Sequence, residues 1–289
     1  MDKEFKTLLE CSYIHIPGIQ DKTEVRIWEM GILSWDDMED RFSDNDLPFK
    51  NTDVVKSYIG GSKSALEKGN IRFFKENFPK REYWRFYPAF KDKTLFLDIE
   101  TNGLSKEDCE ITVIGTLYQG TFRSFVSGVN LQEIVPLLEE SRLIVTYNGD
   151  QFDIPFLEKA FSMDNIPYVS LDLRWILKRL GYSGGLKSIE EQLDIKRPDY
   201  LKGVSGHSAV MLWEEYKSKK LNALNILRRY CLEDVKNLII LLHIAYNKLL
   251  IESEFPGANP LPELFKWAIN IDCDYSLIDE IKKKSRKDK

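Results

Sequence analysis

Five side chains in three separated stretches have the types and spacings to act together. In Lys93-Thr94-Leu95-Phe96-Leu97-Asp98-Ile99-Glu100-Thr101-Asn102-Gly103-Leu104, an apolar run ends in two acids and then in turn residues. The run reads as a buried strand. Side chains alternate along a strand, so Asp98 and Glu100 face the same way. Two carboxylates buried side by side are costly unless a cation neutralises them, and the pair therefore suggests a divalent metal site. Two solvated acids at a strand end are the ordinary alternative. In Asn148-Gly149-Asp150-Gln151-Phe152-Asp153-Ile154-Pro155, a strand gives way to a helix. Proline is tolerated in that first turn, and Asp153 sits where an aspartate commonly caps a helix. In Tyr230-Cys231-Leu232-Glu233-Asp234, the i, i+4 spacing puts Tyr230 and Asp234 on one face of a helix expected over Leu221–Leu250. A surface aspartate and a half-buried tyrosine would give the same spacing.

The elements that must hold these residues can be read around them. Strands are expected over Glu110–Tyr118 and Thr121–Val126, joined by a hairpin at Gln119-Gly120. A helix over Leu131–Glu140 leads to a strand over Arg142–Tyr147, and Tyr168–Leu171 is a short last strand. This order gives an α/β sheet with mixed strand directions, flanked by helices. From Asp172 the chain reads as helices, interrupted at Gly181–Gly185 and by a loop over Lys196–Ser205.

Composition narrows the class. At 43% hydrophobic and 12% aromatic residues the chain has enough apolar surface for a folded core. A net charge of −5 argues against a protein that coats nucleic acid by bulk charge, though a local groove remains open to it. Cys11, Cys109, Cys231 and Cys273 are scattered without a C-x-x-C pair and read as reduced thiols. The N-terminus lacks an apolar signal region, and the aliphatic run Leu238–Leu242 is too short to span a bilayer. A soluble cytoplasmic protein with no membrane partner is the expectation.

Taken jointly, the three stretches resemble the DEDD superfamily of 3′–5′ exonucleases in its tyrosine subclass. Asn148–Asp153 looks like the second exonuclease motif of family B DNA polymerase proofreading domains, and Tyr230–Asp234 like the third. The YprB-type ribonuclease H-like nucleases are closer still. That resemblance runs through Leu97–Leu104, Ile111–Gly115, Leu171–Arg174, Gly184–Glu190 and Leu212–Tyr216, within residues 94 to 245. It implies a ribonuclease H-like domain over residues 91–250, a helical N-terminal domain and linker over 1–90, and a C-terminal extension over 251–289. It also implies two divalent ions, Mg²⁺ or Mn²⁺, to which Asp98, Glu100, Asp153 and Asp234 offer hard oxygen ligands. In that scheme Asp98 bridges both ions, Glu100 and Asp234 complete the first site, Asp153 helps hold the second, and Tyr230 orients the attacking water. Thr101, Asn102, Gly103 and Leu104 would hold the 3′ end of a single strand, DNA in preference to RNA, with Asn148 and Phe152 shaping its pocket. An endonuclease of the same fold and a non-catalytic nucleic-acid-binding module are the competing readings. His207 lies too far before Asp234 for the histidine subclass and reads as a loop or helix-start residue. Lys187 has two readings, a phosphate contact or a helix-capping group.

The flanking segments carry further expectations. Ser12–Gln20, a helix over Lys22–Met30 and a second helix start at Ser34, with Asp37 completing an approximate capping box, resemble a helix-hairpin-helix module with its turn at Pro17-Gly18-Ile19. Gln20 stands where that family usually has a second glycine. A small packing domain is the alternative. Residues 43 to 70 read as a polar connection or loosely packed helices. The aromatic and basic residues from Arg72 to Tyr87 suit either a stacking platform for single strands or inter-domain packing. The basic tail from Ile281 reads as a frayed, solvated end or a source of nonspecific phosphate attraction.

Overall fold

A computed structural model describes residues 7–43, 46–163, 168–257, 260–262, 271 and 274–287. Helices α1 (Asp21–Glu29), α2 (Trp35–Asp40), α3 (Thr52–Glu67), α4 (Ile71–Asn77) and α5 (Tyr87–Phe90) precede the sheet. Strands β1 (Thr94–Thr101), β2 (Ile111–Tyr118) and β3 (Thr121–Val126) lead to α6 (Val135–Glu140), β4 (Leu143–Thr146), α7 (Asp153–Phe161) and β5 (Val169–Asp172). The chain closes with α8 (Leu173–Arg179), α9 (Leu186–Gln192), α10 (Gly206–Lys217), α11 (Leu221–Glu252) and α12 (Ser276–Lys287).

The five strands lie in the order β3-β2-β1-β4-β5. β1, β2 and β3 are antiparallel neighbours, while β4 and β5 run parallel to β1. This is the ribonuclease H-like mixed sheet that the strand order led us to expect. Gln119 and Gly120 both adopt positive φ (47° and 76°), the backbone of a tight two-residue hairpin. Along β1 the alternation sorts the faces. Leu95, Leu97 and Ile99 enter an apolar cluster with Ile154, Phe156 and Leu157 of α7. Phe96, Asp98 and Glu100 point to the opposite face, where Phe96 shares a cluster with Val235 and Leu238 of α11.

α11 lies close against the acidic side of the sheet because β2 offers it a glycine. A Cβ on Gly115 would sit 2.7 Å from Cys231 Cβ, nearer than real carbon atoms approach. Gly115 pairs with Asp98 across β1 and β2, so this close approach brings the middle of α11 over the β1 carboxylates.

The N-terminal helices share their core with the sheet. Ile27, Trp28, Ile59, Phe74 and Phe86 belong to the same cluster as Phe96, Val145 and Leu238. The aromatics of residues 71–90 are mostly packing groups: Phe74, Phe78, Trp84, Phe86 and Phe90 are buried, and Arg85 is buried between Glu24 and Glu82. Of the two readings of that stretch, packing is the one realised. The polar stretch before it holds α3, a 16-residue helix. Val55, Ile59 and Ser62 are buried at helical spacing, and Asn51 Oδ1 caps the helix by accepting from Val54 N–H. Residues 16–19 form a turn whose tip, Pro17-Gly18, is exposed while Ile16 and Ile19 are buried; Gly18 has φ +88° and Ile19 N–H donates to Ile16 O at 3.0 Å. At α2, Ser34 accepts from Asp37 N–H as expected, and Asp37 Oδ2 accepts in return from the Ser34 hydroxyl and from the N–H of Leu33, one residue before the cap, so the box is closed approximately. The basic C-terminal segment is helical to Lys287 rather than frayed, with Leu277, Ile278 and Ile281 buried against α10 and α11. Cys273 and the last two residues lie outside the described residues.

Gly115→Ala tests the close approach. Overpacking of this kind costs about 1–3 kcal/mol, so the urea midpoint should fall. A variant that unfolds at the wild-type midpoint would mean that α11 has room to spare at β2.

Candidate active site

β1 delivers Asp98 and Glu100 to one spot because both stand on the face toward α11. Its pairing with β4 ends at Phe96, yet the strand continues for five more residues. The backbone beyond that point must find other partners. Ile99 N–H finds Asp153 Oδ1 at 3.1 Å. Asp153 is therefore not the cap of its own helix: Phe152 occupies that position, and the Asp153 carboxylate reaches across to the strand. On the other side the register slips between Glu100 and Thr101, and Thr112 Oγ1 donates to Glu100 O at 3.0 Å. Such irregularities re-aim side chains at a strand end. α11 supplies Tyr230 and Asp234, both buried.

These five residues line one cleft of about 680 Å³. Thr101, Asn102, Gly103 and Leu104 form one rim, and Asn148 and Phe152 another. Every residue singled out from the sequence for metal or substrate thus borders this space. Their side chains are not equally available. Thr101 Oγ1 is turned back onto Gly103 O, and Asn102 Oδ1 accepts from Glu110 N–H at 2.7 Å, so both brace their own loop. Leu104 is 87% exposed at the rim. Asn148 has φ +65°, and its side-chain oxygen accepts from Arg174 at 2.5 Å. His207 lies on the rim as the second residue of α10, in keeping with a helix-start residue.

Three residues that sequence reasoning did not assign hold the site together. Arg197, from the 196–205 loop, is ion-paired to Asp234 and forms two hydrogen bonds to Glu190, at 2.5 and 2.6 Å. Glu190 is itself buried and accepts from Asn237 at 2.8 Å. Asp172 at the end of β5 accepts from the N–H groups of Asn148, Asp150 and Arg174, which fixes the turn carrying Asn148. An acid that follows an apolar strand and precedes a helix was a legible capping signal at Asp172. Nothing in local spacing links Arg197 to Asp234. Lys187 is half-buried in the cleft: its ammonium donates to Val204 O and lies 4.9 Å from the Tyr230 ring centroid, so it caps no helix.

The charge balance is uneven. Asp98, Glu100 and Asp234 crowd together with Asp153, and the cations that act on them are Arg197 and Lys187. Burial, then the charge of Asp234, holds the Asp98 and Glu100 carboxyls well above the usual carboxylate range. Burial pushes Asp153 up to about 7. Burial also raises Asp234, against the pull of Arg197 and Lys187. Asp98 Oδ2 is buried with no hydrogen-bond partner. A buried, unpartnered carboxylate oxygen among crowded acids fits a divalent cation. Among the described residues the tightest set of metal-capable atoms is Asp98, Glu100 and Cys231, within 4.8 Å of one another. The Cys231 thiol is pushed well up by burial and then by Glu100 and Asp98. A protonated thiol is a poor ligand for a hard cation, so Cys231 is better explained by its packing on Gly115.

A sequence profile of the ribonuclease H superfamily matches residues 95–246, just over half of the chain. The chain belongs to the ribonuclease H superfamily. That membership points to nuclease chemistry and to nucleic acid as the partner, and nucleases of this fold generally use divalent metals. No curated protein matches the chain significantly. Among the described residues no helix is long and apolar enough to cross a membrane.

The crowded acids make stability depend on pH in a definite direction. Asp98, Glu100, Asp153 and Asp234 each bind a proton more readily in the folded chain than in the unfolded one. Stability is therefore fully present below the unfolded carboxylate range, about 4, and is lost as pH rises through the folded value, about 7 for Asp153. In chelator the melting temperature should fall between roughly pH 5 and pH 8, and saturating Mn²⁺ should recover most of the loss at the higher pH. Equal melting at both pH values in chelator would contradict the crowding.

Proposed function

We propose that this chain is a metal-dependent 3′–5′ exonuclease of the DEDD superfamily, tyrosine subclass and YprB type. It would release nucleoside monophosphates from the 3′ end of single-stranded nucleic acid, DNA in preference to RNA. The observation that carries the reading is the convergence of Asp98, Glu100, Asp153, Asp234 and Tyr230 in one cleft, from three stretches far apart in sequence. The unpartnered Asp98 Oδ2 supports a divalent cation there; on this reading Asp98, Glu100, Asp153 and Asp234 would hold two such ions, Mg²⁺ or Mn²⁺. When bound, such ions neutralise charge on the phosphodiester and activate water. The chain's own groups do the rest. Burial holds the Tyr230 phenol well above its usual range, so it stays protonated and acts by orienting water through its hydroxyl rather than as a base. Lys187 and Arg197 flank its ring, at 4.9 and 5.8 Å from the centroid, and fix its position. Exposed Leu104 and half-buried Phe152 offer apolar surface to the terminal base. Residues 1–90 would serve as an N-terminal domain and linker, and residues 251–289 as a C-terminal extension, to the nuclease unit.

Asp98→Ala should reduce cleavage of end-labelled single-stranded DNA to background in Mg²⁺ or Mn²⁺. Asp98→Asn should do the same while raising the melting temperature in chelator, because it removes one of the crowded charges. Wild-type digestion by Asp98→Ala would end the assignment. A closed single-stranded circle should survive the wild-type enzyme, and its cleavage would favour an endonuclease of the same fold.

Tyr230→Phe removes only the hydroxyl. Single-turnover cleavage should fall on the order of 10²-fold, with metal affinity and melting temperature nearly unchanged. A purely structural tyrosine gives the reverse pattern, a lower melting temperature at full turnover.

A further inference from the structure

A second groove, of about 360 Å³, lies where α8 meets the segment before the sheet, with Lys80, Tyr83, Trp175, Ile176 and Arg179 on its walls. Trp175 is 43% exposed, unusual for a tryptophan. Two cations flank its ring: Arg174 at 5.7 Å and Lys178 at 5.3 Å from the centroid. Neither has a carboxylate partner among the described residues. The two acids of the groove are already engaged. Asp150 is held by Lys80 at 2.7 Å and Ser170 at 2.6 Å, and Asp172 accepts the three backbone N–H groups described above. The groove therefore offers an aromatic face and an apolar floor, with two cations that have no carboxylate partner set against the ring of Trp175. It adjoins the cleft described above at Asn148, which lines that cleft: Asp172 of the groove accepts the Asn148 N–H, and Arg174, beside Trp175, donates to the Asn148 side chain.

We propose that this groove binds the body of a single-stranded nucleic acid, with a base stacked on Trp175 and the backbone passing Lys178. The inference rests on the nuclease reading for the identity of its ligand, and it extends that reading from the 3′ end to the upstream nucleotides. Bases stack on exposed aromatics whatever their sequence, and flanking cations track the backbone; an exposed ring between two unpaired cations meets both needs. Lys80 and Arg179, although paired, add to the same field from the opposite wall.

The test uses the full chain in chelator, so that binding is read without cleavage. Fluorescence anisotropy would follow a fluorescein-labelled oligothymidylate of about 20 nucleotides and one of about 5. Trp175→Ala should weaken the long probe about 5- to 100-fold and bring its affinity close to that of the short probe. Trp175→Phe, which keeps a stacking face, should recover part of the loss. Lys178→Gln, an exposed change that leaves packing alone, should lower the slope of log K against log salt by about 0.7. Wild-type affinity of Trp175→Ala and Lys178→Gln for the long probe would overturn the proposal, as would an equal loss on both lengths. Competition by polyglutamate as strong as by unlabelled oligothymidylate would also overturn it, in favour of an acidic peptide. The two readings fail separately. A chain that binds the long probe through Trp175 but cleaves nothing keeps this groove and loses the nuclease. A chain that cleaves normally with Trp175→Ala, at unchanged KM on long substrate, does the opposite.

Discussion

The structure is arranged around the mutual repulsion of carboxylates confined in one partly dry cleft. Asp98 and Glu100 share β1, but Asp153 comes from α7 and Asp234 from α11, so nothing local forces the three parts of the cluster together. Each is pushed toward protonation by burial, Asp98 and Glu100 further by the charge of Asp234, and Asp234 in spite of Arg197 and Lys187. Such a cluster is tolerated only if packing elsewhere overrides it. The override is visible: β1 is buried on both faces, α11 is buried along most of its length, and Gly115 removes the atoms that would keep the two apart. The apolar core holds the acids at a separation that they would not choose.

Two hydrogen-bonded devices then set the directions of two of the acids. The Ile99 N–H holds Asp153, and a buried guanidinium holds Asp234 against Glu190. The Arg197 device is an ion-pair network in which the guanidinium spans two carboxylates and Asn237 takes a further lone pair of Glu190. Burial alone works against the charge of Arg197, and Asp234 with Glu190 keeps it protonated. Buried pairs of this kind gain little net stability, but removing one partner strands the other charge. Arg197 is thus a positioning residue for Asp234 and, through the ring of Tyr230, for the phenol. Asp98 has no such partner at its Oδ2 atom. It is the group whose environment is completed only by something from outside the chain.

Much of this was legible in the sequence where the cause is local. Asp98 and Glu100 interrupt an apolar strand at period two, and that alone places them on one face. Tyr230 and Asp234 share a helix face by the same kind of arithmetic, and the mixed sheet followed from strand and helix order. What was not legible depends on contacts between distant positions. The spacing around Asp153 suited a helix cap, but β1 outruns β4 and leaves an N–H that Asp153 takes. Arg197 sits in a loop with no pattern of its own. Residues 43 to 70 read as a connection or as loosely packed helices, and the apolar spacing from Val55 through Ile59 carries α3 straight through Gly60-Gly61. The aromatic and basic stretch before the sheet was ambiguous because packing and stacking call for the same residue types. Only burial separates Phe74 and Trp84, which are inside, from Trp175, which is not.

The same charge balance orders how ligands would enter. The chain carries a net charge of −5, and its cleft holds more carboxylates than cations, so a phosphodiester brought there alone meets repulsion. On the nuclease reading, divalent cation and phosphate each lower the electrostatic cost of the other, and their affinities for the cleft must rise together by the same factor. The groove at Trp175 obeys a different rule. Its acids are already paired or hydrogen-bonded, and Arg174 and Lys178 carry unpaired charge, so it attracts a strand without help from metal. A strand held there is presented to the cleft at high local concentration before the cleft itself is favourable to it. An acidic protein can in this way act on a polyanion, with monovalent side-chain cations used for capture and divalent ions reserved for the place where the bond breaks.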